Sequence, residues 1–199
     1  FDVADITELD RYRKKINTEN TPPKRTFLPF LIRAVTQTLK EFPSFNSSLS
    51  INKEFLVHKK YYHIGVAIDT AWGLVVPVIK NTDKKNTTKL SIEMKDLSKR
   101  AREKKLKPEE LKGGTFTISS LGGIGGTYFS PIVNPPEVAI LGVSRATWKP
   151  TRLKDKKTFT ARYLLPFSLT YDHRVIDGAQ AAAFTQYLAK IMSNTSFFE

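Results

Sequence analysis

Strand-like and helix-like segments follow one another irregularly along this chain, and that order constrains its fold more than any other feature. The strand-like stretches Ile64–Asp69 and Leu74–Lys80 are separated only by the turn TAWG, a spacing that indicates a hairpin. A doubly wound sheet would instead place a helix between successive strands. The order therefore favours an α/β fold in which helices pack on a mixed sheet.

Four helices are predicted from capping residues and apolar spacing. The first runs from an N-cap at Asp5 to about Lys15, and the second ends where Pro43 interrupts its apolar spacing. A third carries basic residues on its outer side, and the last begins near Asp177. The predicted buried positions are Leu28, Leu31, Val35, Leu39 and Phe42 in the second helix, Leu90, Met94, Leu97 and Ala101 in the third, and Ala181, Phe184, Leu188 and Ile191 in the last.

Three more strands are predicted after the third helix. Their bounds are Thr115–Ser119, Glu137–Arg145 and Ala161–Asp172. Because proline cannot donate a hydrogen bond to a neighbouring strand, Pro166 predicts an edge strand or a bulge. An exposed loop is expected at Asn17–Arg25 and a turn at Leu153–Lys157.

The charge of the chain favours anionic partners. Its 32 lysines and arginines outnumber its 19 aspartates and glutamates, which gives a net charge of +13. A nucleic acid and a phosphate-bearing small molecule both fit this charge. The basic clusters mostly lack interleaved aromatic residues, and no nucleic-acid-binding motif is present, so solvated surface faces explain them better.

Composition also limits the chemistry. The chain has no cysteine, so it forms no disulfide, and any thiol that reacts must come from a substrate. Three histidines without a cysteine give no zinc-binding pattern, and no metal is expected. No apolar run approaches the roughly 18 residues of a membrane span. A length of 199 residues suits one domain, or two small ones.

One segment concentrates charge between a strand and a helix. In LTYDHRVIDGAQAAAF, Leu169–Phe184, a histidine, two aspartates and an arginine fall within six residues. An ordinary polar junction would explain them, but the end of a strand is also a common place for a reactive group such as His173. Asp177 is placed to cap the last helix, and Gly178 lets another backbone or a ligand come close.

A second segment, GGTFTISSLGGIGG, is rich in glycine. It fits neither G-x-G-x-x-G nor a phosphate-binding G-K-[ST] loop, so a flexible turn after a strand is the simpler interpretation. The alternative is that Ser119 and Ser120 present hydroxyl donors that stabilise an oxyanion. The chain has no G-x-S-x-G nucleophile elbow, and nothing marks a pair of catalytic carboxylates.

Three stretches together carry a resemblance to a known family. DHRVIDG, GTFTISSLGGIGGTYFSPIVNPPEVAILGV and DTAWGLVVPVIKN resemble the catalytic domain of the dihydrolipoamide acyltransferases, the core components of the 2-oxo-acid dehydrogenase complexes. The resemblance extends from FDVADITEL to the last helix. Within the family, SSLGGIGGTYFSPIVNPPEVAILGVS looks most like the acetyl-transferring branch of the pyruvate dehydrogenase complexes of Gram-negative-type bacteria, which implies acetyl as the acyl group.

The resemblance implies a chloramphenicol-acetyltransferase-like sandwich that forms trimers. The active site is then expected in a channel between neighbouring subunits, with coenzyme A and the dihydrolipoyl arm entering from opposite ends as substrates. Trimers are expected to assemble into a larger cubic core of roughly 24 chains. The implied partners are the decarboxylase and dihydrolipoamide dehydrogenase components of the complex, in a bacterial cytoplasm, with no role in binding nucleic acid or membranes.

The resemblance also implies roles for particular residues. His173 matches the histidine of H-x-x-x-D-G, the general base that takes a proton from the attacking thiol. Asp177 matches the second acidic position, which some relatives fill with asparagine, so its expected role is orientation or structure rather than proton transfer. Ser119 matches the hydroxyl that stabilises the oxyanion. The expected substrate-binding residues are Phe129, Ser120 and Gly178.

Residues 1–199 are expected to form one acyltransferase catalytic domain that is truncated at its N-terminus. The lipoyl and peripheral-subunit-binding domains of the family do not appear in this chain. Four alternatives remain open: succinyl or branched-chain acyl transfer in a sister complex, a scaffold for partner enzymes, nucleic-acid binding, and a stand-alone acyltransferase of the same fold.

Overall fold

A computed structural model describes residues 1–19, 24–152 and 158–198. Within those ranges no helix is long and apolar enough to cross a membrane. The strands there are β1 Asp2–Asp5, β2 Ser47–Leu49, β3 Leu56–His58, β4 Ile64–Thr70, β5 Gly73–Val75, β6 Val78–Ile79, β7 Phe116–Ser120, β8 Ala139–Val143, β9 Thr147–Arg152 and β10 Phe159–Tyr171. The α-helices are α1 Thr7–Glu19, α2 Leu28–Glu41, α3 Thr87–Arg102 and α4 Gly178–Met192.

The fold is built on one eight-stranded mixed sheet, as the element order predicts. Its strand order is β1-β10-β8-β7-β4-β5, with β6 also paired to β4 and β9 to β10. The pairs β4–β7 and β7–β8 are parallel, and the other pairs are antiparallel. Strands β2 and β3 form a separate small hairpin.

The two faces of the sheet differ because successive side chains of a strand point to opposite sides. On β7, Phe116 and Ile118 are buried in the hydrophobic core together with residues of the helices, such as Leu39 of α2 and Leu188 of α4. The core therefore lies between the sheet and its helices. The hydroxyl of Ser119 belongs to the opposite face.

The helix predictions are largely confirmed. Every apolar position predicted for the last helix is buried, and the Asp177 carboxylate caps α4 by accepting from the Gln180 N–H at 2.8 Å. The first helix is longer than predicted and ends at Glu19, because Ile16 in its additional turn packs against the core. It begins at Thr7, whose N–H donates to the Asp5 carboxylate at 3.0 Å.

Pro166 does not lie on an edge strand, so that part of its prediction is wrong. Strand β10 is paired on both sides, with β1 on one and with β8 and β9 on the other. Leu164 is opposite Thr147 and Phe167 is opposite Val143, so three residues face two between these pairs. The missing N–H of Pro166 falls at this bulge-like irregularity, where the ladder is interrupted.

The sequence did not predict strand β9, because the composition of this segment shows no strand pattern. Five of its six residues are exposed, and it contains Pro150, so it shows no apolar alternation. The predicted turn Leu153–Lys157 lies outside the described residues, as does the centre of the loop predicted at 17–25. The second strand of the predicted hairpin is confirmed but divided at Val76 and Pro77 into β5 and β6.

Candidate functional site

Ser119 lies in a row of small residues that crosses the centre of the sheet. It is paired with Gly142 of β8, and Gly142 is paired with Ser168 of β10. Laterally paired residues of a sheet point to the same face, so the three positions share the face opposite the core. The Ser119 hydroxyl makes no hydrogen bond to the residues that the structure describes, which leaves it able to donate to a substrate.

Phe129 covers the neighbouring part of this row. Its carbonyl oxygen accepts a hydrogen bond from the Ser168 hydroxyl at 2.6 Å. A methyl group on Gly142 would lie only 2.9 Å from Cζ of Phe129, so the ring packs directly over the glycine. The predicted substrate-binding residue Phe129 and the predicted oxyanion donor Ser119 are thus adjacent across the sheet.

Ser120 points away from Ser119. It is exposed and lines a cleft of about 770 Å³ on the helical side of the sheet, together with Arg102 and Arg145. The alternation of side chains along β7 explains this divergence. Ser119 and Ser120 therefore cannot both contact the same substrate group.

His173 lies in a tight turn after β10, and its neighbours hold that turn in place. The N–H groups of Val175 and Ile176 donate to the Asp172 carbonyl oxygen at 3.0 and 3.1 Å. The Asp172 carboxylate accepts from the Arg174 guanidinium at 2.9 Å, and this interaction lowers the pKa of Asp172 despite partial burial. His173 itself is exposed, with its ring centroid 5.6 Å from that of Tyr171.

Asp177 and Gly178 lie beside this turn at the start of α4. The Asp177 carboxylate is used as the helix cap, which is a structural use of this side chain. A methyl group on Gly178 would lie 3.9 Å from the Tyr171 hydroxyl, an ordinary contact distance, so no described residue approaches closely enough to require a glycine there.

One chain holds His173 and Ser119 at opposite ends of the sheet. Tyr171 is paired with Ala139 at the start of β8, whereas Ser119 is paired with Gly142 near its end. Strand spacing and rise put the Cα atoms of Tyr171 and Ser119 about 14 Å apart. His173 lies two residues farther on, so it and Ser119 do not reach one reacting group within a single chain.

Sequence reasoning missed Glu137, a buried carboxyl group at the His173 end. It is 6% exposed, and burial raises its pKa to about 7 against the opposing effects of Thr117 and Lys59. It precedes Val138, whose carbonyl oxygen accepts from the Asp172 N–H at 2.8 Å. A lone acid beginning the apolar run EVAILGV was the available signal.

The described residues contain no group of three or more histidine, cysteine, aspartate or glutamate side chains that could hold a metal ion. The candidate residues are instead one imidazole at the His173 end of the sheet, and one hydroxyl and one aromatic ring at the Ser119 end. These groups can take a proton, donate a hydrogen bond to a developing oxyanion and bind an apolar part of a substrate.

Solved structures define the class of fold. A chloramphenicol acetyltransferase matches 96% of this chain with a TM-score of 0.60 at 14% identity, which shows the same α/β architecture. The dihydrolipoamide acetyltransferase of Azotobacter vinelandii, analysed for the roles of one serine, one histidine and one asparagine in catalysis, matches the whole chain with a TM-score of 0.95 at 49% identity. This chain covers 82% of that structure.

The family is shown by the sequence comparisons. The family of 2-oxoacid dehydrogenases acyltransferase catalytic domains matches residues 1–198, and this chain belongs to it. The acetyltransferase component of the pyruvate dehydrogenase complex of Buchnera aphidicola from Schizaphis graminum is 52% identical over 99% of this chain. The corresponding Cupriavidus necator protein is 53% identical over 97%. This chain spans 50% and 34% of those two relatives.

Proposed function

We propose that this chain transfers an acetyl group between coenzyme A and a dihydrolipoyl group, at a site shared by two copies of the chain. The main support for a shared site is that His173 and Ser119 lie at opposite ends of one sheet. A second copy that brings its His173 turn to the Ser119 end of the first would complete the site. The relatives named for pyruvate dehydrogenase complexes support acetyl as the acyl group.

The chemistry follows from the side chains. A free thiol has a pKa of about 8.5 and is mostly protonated near neutral pH, so it needs a base. His173 takes the thiol proton while sulfur bonds to the thioester carbonyl carbon, and Ser119 donates to the oxyanion that forms. When the old carbon–sulfur bond breaks, His173 returns the proton to the departing thiolate. The reaction exchanges one thioester for another, which requires no metal or oxidant.

A head-to-tail contact between copies closes into a ring when the rotation permits, and three copies would give three equivalent sites. One of the solved structures with a TM-score of 0.95 to this chain is the cubic core of a pyruvate dehydrogenase multienzyme complex. That likeness supports trimers that assemble into a larger core of roughly 24 chains.

The remaining parts of the proposal concern the surroundings of this domain. Residues 1–199 act as the catalytic domain, and the lipoyl group that receives or delivers the acetyl group is carried on another domain. The partner enzymes are the decarboxylase and the dihydrolipoamide dehydrogenase of the same complex, in a bacterial cytoplasm. The net charge of +13 suits the phosphates of coenzyme A.

Mixing two inactive variants tests the shared site. His173→Ala and Ser119→Ala chains are each expected to lose most acetyl transfer from acetyl-coenzyme A to free dihydrolipoamide. Co-expressed in equal amounts, they should recover about a quarter of the activity of the unmodified chain, because random neighbours place both intact groups at one contact in four. Activity that stays at the level of the separate variants would contradict a shared site.

Two controls define the outcome. Native mass measurement of every sample establishes whether trimers form, so lost activity is separated from lost assembly. Succinyl- and isobutyryl-coenzyme A are used as alternative donors with the unmodified chain. A preference for either over acetyl-coenzyme A would contradict acetyl transfer, and assembled trimers without turnover on any donor would favour a scaffold.

A further inference from the structure

The Ser168 hydroxyl lies behind Phe129 and is buried. Ser168 is 4% exposed and donates its hydroxyl hydrogen to the Phe129 carbonyl oxygen at 2.6 Å. A hydroxyl in this position is a fixed anchor, because β10 holds Ser168 in register opposite Gly142. The segment that follows β7 is thereby tied to a strand two positions away in the sheet.

Gly142 completes this anchor by having no side chain. A methyl group there would lie 2.5 Å from the Ser168 hydroxyl oxygen, 2.9 Å from Cζ of Phe129 and 3.0 Å from Cδ of Pro131. Atoms of the sheet and of the covering segment therefore occupy the space that any larger residue would need. The glycine is required for close approach.

The anchor adjoins the predicted oxyanion donor. Gly142 is the direct cross-strand neighbour of Ser119, and paired side chains of a sheet are about 5 Å apart. Adding the 2.9 Å approach of the Phe129 ring to Gly142 puts that ring within about 8 Å of Cβ of Ser119. Phe129 and Ser119 are therefore near enough for one small substrate group to contact both.

We propose that Ser168 and Gly142 are positioning residues for acetyl transfer, which seat the Phe129 segment beside Ser119 and so shape the thioester-binding wall. The inference rests on the proposed function. Ser168 does not contact the reacting atoms, because its hydroxyl is buried and directed to the Phe129 backbone. Ser168 therefore affects the reaction by fixing the position of the segment that contains Phe129.

The test compares Ser168→Ala with Ser47→Ala. Ser47 is the matched control, since it is 0% exposed and donates to the Ser44 carbonyl oxygen at 2.6 Å, but in the separate β2–β3 region. Ser168→Ala is expected to raise the KM for acetyl-coenzyme A about 5- to 10-fold and to leave kcat within about twofold, as the loss of a contact made equally in the ground state and the transition state predicts. Ser47→Ala is expected to change neither constant.

A double-variant cycle and hydrogen exchange separate positioning from general destabilisation. In a Phe129→Ala background, Ser168→Ala should raise KM by less than about twofold, since the wall is already absent. Amide exchange in residues 121–133 should accelerate in Ser168→Ala and Gly142→Ala, but not in Ser47→Ala. Equal KM effects of Ser168→Ala with and without Phe129, or unchanged exchange in that segment, would overturn the inference.

The exchange measurement does not depend on turnover. If the unmodified chain transfers acetyl groups and Ser168→Ala alters neither KM nor exchange, only the positioning role fails. If the unmodified, assembled chain transfers no acetyl group, the proposed function fails and the catalytic meaning of the anchor fails with it.

Discussion

The two ends of the sheet position their candidate functional side chains by different means. At the Ser119 end, the strand ladder itself places a free hydroxyl, and small residues around it admit the Phe129 ring. At the His173 end, the strand has finished, and a turn, the Asp172–Arg174 ion pair and the Asp177 cap position the imidazole. The first arrangement depends on packing and register, and the second depends on charge and capping.

The two ends should be sensitive to different changes. A change of volume should harm the Ser119 end most, because close-packed atoms leave no room for movement. A change of charge or pH should harm the His173 end most, because carboxylates hold its turn and the buried Glu137 precedes Val138, whose carbonyl oxygen accepts from the Asp172 N–H. Three predictions test this contrast, in order of decreasing effect.

The largest expected effect separates the two serines of β7. Ser119→Ala should lower kcat for acetyl transfer by about 10²- to 10³-fold, because it removes an oxyanion donor. Ser120→Ala should stay within about twofold of the unmodified chain, because Ser120 lines the cleft on the opposite face. Steady-state kinetics of both variants, with matched thermal unfolding, make the comparison. Equal losses in the two variants would show that strand alternation does not select the donor.

The next effect concerns the pH dependence of stability at the His173 end. Burial raises the pKa of Glu137 from 4.5 to about 7, so the folded chain keeps a proton that the unfolded chain releases between these values. Stability from this group is present below about pH 4.5 and is lost as pH rises to about 7. The shift corresponds to about 3 kcal/mol.

Glu137→Gln should remove that loss. Urea unfolding should show the unmodified chain losing about 2.5 kcal/mol more stability than Glu137→Gln between pH 5 and pH 8, since part of the loss already occurs below pH 5. Glu109→Gln, at an exposed position, is the control and should leave the pH dependence unchanged. An unchanged pH dependence in Glu137→Gln would mean that the carboxyl group is solvated or paired in the assembled protein.

The smallest effect concerns the helix cap. Asp177→Ala should lower the free energy of unfolding by about 1 kcal/mol, because the Gln180 N–H loses its acceptor. Asp177→Asn should cost only a few tenths of a kcal/mol and keep near-normal kcat, because asparagine caps a helix equally well. The urea unfolding midpoints and the kcat values of the two variants test these expectations. A large loss of kcat in Asp177→Asn at unchanged stability would show that the negative charge itself is needed.

Most of the fold could be predicted from local patterns. The spacing of apolar residues in α2, α3 and α4 depends on neighbours three or four positions away, so it is readable without a tertiary structure. Strand β9 was not readable, because its exposed residues carry no alternation. Of the two alternatives for Pro166, an edge strand or a bulge, the edge strand was wrong. The partners of β10 change along its length, which no local pattern reports.

The candidate site, too, could be predicted only in part from the sequence. The sequence by itself determined the family, and its motifs singled out His173, Ser119 and the Asp177 cap, because short-range capping and strand–turn chemistry are encoded within a few residues. Only the tertiary structure decided that His173 and Ser119 face different ends of one sheet, that Ser168 and Gly142 seat Phe129, and that Glu137 is buried. Strand order, direction and register arise from pairings between residues far apart in the chain, and those pairings depend on the packing of the whole domain.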